Sequence, residues 1–158
     1  MTRPPSILAA LVIFAAVGTR AAPARADMWS TFKGRIIVSD TPFGTGFQTD
    51  ADMIAAIKKQ AKTTIKGDNA WTINLAVFFK EPAGANKMNI VYYDLSAKHE
   101  QVNFSEIDVQ PDQKMVELNG IAISTDLGFV SGHKYDVRAT RLIGGKEKVY
   151  AKTVVTLK

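Results

Sequence analysis

Cysteine is absent from all 158 residues, and histidine occurs only twice. The first absence removes disulfides, thiolate nucleophiles, thiolate metal ligands and a lipid-modified amino-terminal cysteine. The second leaves only His99, in SAKHEQ, and His133, in SGHKYD, as imidazole donors. A zinc site needs several protein ligands, and two distant histidines would need Asp94, Glu100 and Asp136 to converge on them. The expectation is therefore two solvated loop histidines, no metal and no cofactor. Long apolar runs are also missing: the longest block, Ile7 to Val17, falls short of the ~20 residues that a membrane-spanning helix requires.

That short block has a meaning of its own. Arg3 precedes it and Ala24-Arg25-Ala26 follows it, the pattern of a secretory signal peptide over residues 1–26, with cleavage before Asp27. The expected product is exported, periplasmic or secreted, with no transmembrane segment, and residues 27–158 form one domain. The formal charge of +5 shrinks accordingly. Arg3, Arg20 and Arg25 leave with the signal peptide while every acidic residue stays, so the balance becomes +2. A nucleic-acid partner needs a stronger basic field than that, and none is expected.

From Trp71 onward, short alternating runs separated by turn residues predict antiparallel strands. In AWTINLAVFFK, Trp71, Ile73, Leu75, Val77 and Phe79 share one face. MNIVYYDL is apolar on both faces. In KMVELNGIAIS the apolar set shifts phase across Asn119-Gly120, which predicts a β-bulge or bend. Gly144-Gly145, between KYDVRATRL and KVYAKTVVTL, predicts a two-residue hairpin turn, because primed turns need positive φ. Ahead of Trp71, GRIIVSD predicts a first strand. TDADMIAAIKKQAKTTIKGD predicts an amphipathic helix over about 50–66, capped by Thr49 or Asp50, with 62–66 open to either helix or strand.

The stretch FVSGHKYDVRAT resembles the tyrosine corner of immunoglobulin-like and fibronectin type III-like sandwiches. There, a tyrosine near the start of the penultimate strand turns its hydroxyl onto backbone a few residues upstream. The resemblance assigns that role to Tyr135, with Phe129 as apolar anchor, Gly132 permitting the tight approach and Trp71 as a core aromatic. It implies a mainly β, antiparallel Ig-like β-sandwich with one amphipathic helix near the start of the exported chain. Such sandwiches serve many purposes, so the fold carries no function by itself.

No catalytic constellation emerges. In GFVSG the serine is fourth of five and lies between strands, unlike a nucleophile elbow. Asp50 and Asp52 read as helix capping, and Asp108 and Asp112 as turn chemistry around a proline. The expectation is a non-catalytic binding or accessory protein of the bacterial envelope, with a protein partner held by a strand edge or loop surface. VYAKTVVTL is the candidate edge. The alternative is salt-sensitive binding of an anionic polysaccharide or lipid surface through Lys58, Lys59, Lys62 and Lys66, which share one arc of the predicted helix. Trp29, Phe43 and Phe47 are a third candidate surface, unless they plug one end of the sandwich. An unrecognised hydrolase ranks last.

Overall fold

A computed structural model describes residues 27–158 of the chain, and the expected signal peptide, residues 1–26, lies outside the described residues. The elements in order are α1 (Met28–Phe32), β1 (Ile36–Ser39), α2 (Asp50–Gln60), β2 (Thr64–Ile65), β3 (Ala70–Phe78), β4 (Lys87–Asp94), β5 (Glu100–Asp108), β6 (Met115–Ser124), a 3-10 turn (Thr125–Leu127), β7 (Lys134–Ile143) and β8 (Lys146–Leu157). The chain is mainly β, with two sheets. A small sheet has the order β1-β3-β6 and a large one the order β2-β8-β7-β4-β5. All pairings are antiparallel except β2 with the end of β8.

The alternation of β3 explains a three-layer arrangement. Trp71, Ile73, Leu75 and Val77 point between the sheets, where they meet Ile90, Tyr92, Val137, Ala139, Tyr150 and Val155. Ala76 and Phe78, on the opposite face, pack with Phe32, Phe43, Ile54 and Ile57 in a second core under the helices. The helices thus cover the outer face of the small sheet. Ile57 is 1% exposed, and truncating it to alanine costs about 2–5 kcal/mol by the usual measure of buried aliphatic deletions.

Two local features anchor this framework. Asn74 is buried opposite the bulge of β6, where Ile73 pairs with Ile121 but Leu75 pairs with Leu118. Its side chain accepts the N–H of Gly120 at 2.9 Å and donates to the carbonyl of Ser39 at 3.4 Å, so one amide ties β1, β3 and the bulge together. Gly120 takes φ 69°, as the phase shift at Asn119-Gly120 requires. The β7–β8 hairpin turns on Gly144 and Gly145, at φ 57° and 76°, between the paired residues Ile143 and Lys146.

Helix α2 stops six residues short of the span its periodicity predicts. Thr49 is the cap: its hydroxyl accepts the N–H of Asp52 at 3.2 Å and donates to the Asp52 carboxylate at 2.7 Å. At Ala61 the backbone turns extended, and the N–H of Lys62 bonds to the carbonyl of Val38. The β-branched pair Thr64-Ile65 joins β8 as β2, burying Ile65 to 1% exposure. Strand pairing and a full core position outweigh one more helical turn.

Candidate functional site

The ends of the two sheets differ. The first strand of the small sheet stands over β8, and backbone bonds cross between the sheets there: Lys152 N–H to the Gly34 carbonyl at 3.2 Å and Lys80 N–H to the Tyr150 carbonyl at 2.8 Å. Further along β8, Thr156 donates to Thr63 at 2.9 Å and Lys158 to Ile65 at 2.8 Å. The expectation that VYAKTVVTL offers an open edge is therefore corrected. Its outer backbone groups are satisfied by neighbouring segments at Tyr150, Lys152, Thr156 and Lys158.

The opposite side is open. Strand β5 pairs only with β4, and β6 only with β3. Val102 and Ile107 of β5 and Val116, Leu118 and Ile121 of β6 reach the core while remaining partly exposed. Strand β5 also borders the outer face of the large sheet, on which no helix of the described residues packs.

That face holds a groove of about 230 Å³ that crosses four strands. Val91 and Thr140 form its floor, and both are buried. Phe104 and Leu142 form its walls, 59% and 71% exposed. Asn89, Gln101, Tyr93 and Glu147 complete the lining.

One end of the groove is a charge network. The Arg138 guanidinium bonds Asp136 at 2.7 and 2.8 Å and Glu147 at 3.3 Å, and its centre lies 4.7 Å from the Tyr93 ring. Burial alone would lower the Arg138 pKa, but Asp136 and Glu147 together raise it. The Tyr93 hydroxyl donates to Glu147 at 2.9 Å, and its pKa is pushed up by burial and by that carboxylate. Arg138 is shared between the two carboxylates, and Glu147 is the one acidic group on an otherwise apolar and neutral lining.

Both histidines stand in loops, His99 exposed and His133 partly so, and each also approaches one aspartate: His133 Nδ1 lies 2.6 Å from Asp94, and His99 Nε2 lies 3.4 Å from Asp136 and 3.2 Å from Arg138. The pairs are separate, and no cluster of metal-ligating side chains forms among the described residues. Sequence spacing gave no sign of either pairing, because β4 and β7 become neighbours only through the register that sets Asp94 opposite Tyr135.

The other candidate residues scatter. Lys58 and Lys59 lie exposed on α2, but Lys62 follows the helix end and Lys66 follows β2, so the four do not form one helix face. Phe43 is buried at 3% exposure in the second core, which removes it from any surface patch. Trp29 is half-buried. Its indole N–H donates to the Phe79 carbonyl at 2.7 Å, and Lys33 and Lys114 lie 4.8 and 4.6 Å from its ring. Phe47 lines a shallow cavity with Gly44, Lys59 and Lys62. The second core under the helices accounts for Phe43, while Trp29 and Phe47 lie half-buried outside it.

At the proposed corner, Tyr135 is fully buried and its hydroxyl accepts the Val130 N–H at 2.7 Å while lying 3.3 Å from the Val130 carbonyl. Phe129 packs between Tyr135 and Tyr92, with ring centroids 5.1 and 5.3 Å away. Gly132, at φ 87°, donates its N–H to the Leu157 carbonyl at 2.7 Å. Trp71 is 2% exposed and bonds the Lys158 carbonyl at 3.1 Å.

No family model matches the chain, and neither the curated proteins nor the solved structures contain a match.

Proposed function

We propose that the protein is an exported, non-catalytic binding module of the bacterial envelope with an immunoglobulin-like or fibronectin type III-like sandwich, which holds a protein partner on the outer face and free edge of its large sheet. The fold assignment draws support from the strand order, since β8-β7-β4 and β1-β3-β6 occupy the places of the G-F-C and A-B-E strands of such sandwiches. The Tyr135–Val130 bond supports it further. A non-catalytic role is favoured by what the imidazoles lack: although each lies beside a carboxylate, neither is hydrogen-bonded to a hydroxyl that could serve as nucleophile among the described residues.

The observation that carries the binding role is the groove itself. Its walls, Phe104 and Leu142, are large apolar side chains exposed on one sheet face beside the buried Val91 and Thr140, and such surfaces mark interaction sites. The lysine alternative loses its geometric basis where α2 ends at Gln60.

The test is capture from envelope and secreted fractions by the exported protein and by a Phe104→Ser/Leu142→Ser variant that keeps the wild-type circular dichroism spectrum. A defined protein retained by the wild type and lost by the variant is expected. Equal recovery by both would overturn the reading, and salt-released anionic glycan or lipid would return the argument to the lysines.

A further inference from the structure

Resting on the binding role just proposed, we infer that the partner is engaged as an extended, lysine- or arginine-bearing segment that adds a strand to the free edge of β5 along Asn103–Asp108, with an apolar side chain facing Phe104. Three observations lead there. First, β5 has a neighbour on one side only, so alternate backbone N–H and C=O groups along it face outward, a template for strand addition. Its register with β4 breaks once, between Tyr92 and Tyr93, leaving Val102 as an extra residue. From Asn103 to Asp108 it runs regularly against Lys87–Tyr92.

Second, the open side is acidic. Glu100, Glu106, Asp108 and Asp112 lie on or just after β5, against Lys87 on the neighbouring strand and Lys114 after the turn. The rest of the described chain carries a surplus of base. Glu106 has a neighbour in Lys87 but remains half exposed. A second copy of the chain would be repelled: two β5 strands laid antiparallel about Phe104 set Glu100 against Asp108, and like charges directly opposite one another destabilise a strand pair. The same acids attract a basic strand. The edge is thus guarded against self-association and open to a partner of opposite charge.

Third, Phe104, Glu106 and Asp108 share the outer face, because they oppose Val91, Asn89 and Lys87 on β4. An added strand that places an apolar residue opposite Phe104 covers a ring now 59% exposed. Basic residues two and four positions along then meet Glu106 and Asp108. Just behind Phe104, the groove is available to the rest of the partner.

The experiment selects displayed random nonapeptides on the exported wild-type protein. Bound sequences are expected to alternate, to be enriched in lysine and arginine, and to carry a central apolar residue. Synthetic copies should protect the amides of residues 103–108 from hydrogen exchange and bind a Glu100→Lys/Glu106→Lys/Asp108→Lys variant about tenfold more weakly, the sum of several exposed charge contacts. Failure to select peptides, selection without basic enrichment, unchanged affinity for the charge-reversed variant, or protection elsewhere than β5 would each overturn the inference. The protein captured in the preceding test separates the two claims. If it is lost with Phe104→Ser/Leu142→Ser but binds the charge-reversed variant normally, strand addition fails and the binding role stands; if neither variant affects it, both fail.

Discussion

Tyr135 and Tyr92 flank the same phenylalanine in the same core, yet their hydroxyls are in opposite circumstances, so the two Tyr→Phe substitutions should have opposite consequences. Tyr135→Phe leaves the packing on Phe129 intact and removes the acceptor of the Val130 N–H, a bond of 2.7 Å. A polar group left without its partner costs about 1–3 kcal/mol. Val130 is 44% exposed, so water can recover part of this, and the expected loss is about 1–2 kcal/mol. For a domain of this size that lowers Tm by roughly 3–8 °C. The Tyr92 hydroxyl is buried with no hydrogen-bond partner, and burial drives its pKa far upward. Tyr92→Phe deletes a desolvated group that receives nothing in return, and stability should be unchanged or rise by up to about 1 kcal/mol. Urea and thermal unfolding of the two variants, followed by circular dichroism, compare them directly. Equal destabilisation by both, or a stable Tyr135→Phe, would refute the assignment of the corner bond as a specific structural link.

The other predictions concern the bulge, the hairpin, a desolvated acid and the lysines. Asn74→Ala frees the buried Ser39 carbonyl and the N–H of the exposed Gly120, which water can partly recover, and chemical denaturation should show a loss of about 1–3 kcal/mol. Gly144→Ala meets no atom within 4 Å but must hold φ 57°, so its cost should be only the left-handed backbone penalty of about 1–2 kcal/mol, with Asn at the same position recovering part of it. Burial raises the Glu117 pKa, so the folded state holds that proton more tightly than the unfolded chain, and the carboxylate opposes folding once pH rises above its unfolded pKa. Glu117→Gln should therefore stabilise the protein at neutral pH, with the advantage fading as pH falls through the ordinary glutamate range. Replacing Lys58, Lys59, Lys62 and Lys66 by glutamine should leave stability within about 0.5 kcal/mol and capture of the protein partner unaltered.

The strands were legible because a pleated strand writes its burial with period two. Trp71, Ile73, Leu75 and Val77 announce one core, and the phase slip at Asn119-Gly120 marks the bulge in the sequence itself. The end of α2 was not legible. Lys62 to Lys66 continue an acceptable helical pattern, and only the arrival of the β8 terminus, more than 90 residues later in the chain, gives Thr64 and Ile65 a strand to join. The groove escaped for a similar reason. Phe104 sits alone in a polar run and Leu142 at the end of another, and neither signals a site. Their meeting depends on β4 lying between β5 and β7, a fact of topology and not of local pattern.

A sandwich without disulfides must resist splaying of its two sheets by other means, and here the means also determine which surface is free. On the β8 side the sheets are laced by main-chain bonds from Gly34 and Lys80 and by the indole of Trp71, which bonds the Lys158 carbonyl, while Thr63 and Ile65 pair with the end of β8 from within its own sheet. These bonds consume the polar groups that would otherwise make β8 an edge. The helices consume the outer face of the small sheet through Phe43, Ile54 and Ile57. Closure of those surfaces leaves β5 and the outer face of the large sheet. On that remainder, the side chains are the reverse of what solubility alone would select: a bare phenylalanine and a bare leucine, beside an edge that repels its own copy. Replacing Phe104 and Leu142 by serine should accordingly cost little stability, within about 1 kcal/mol by urea unfolding, because both are already mostly in water. A large loss would mean that they hold the fold together, and the case for a binding surface would fall with it.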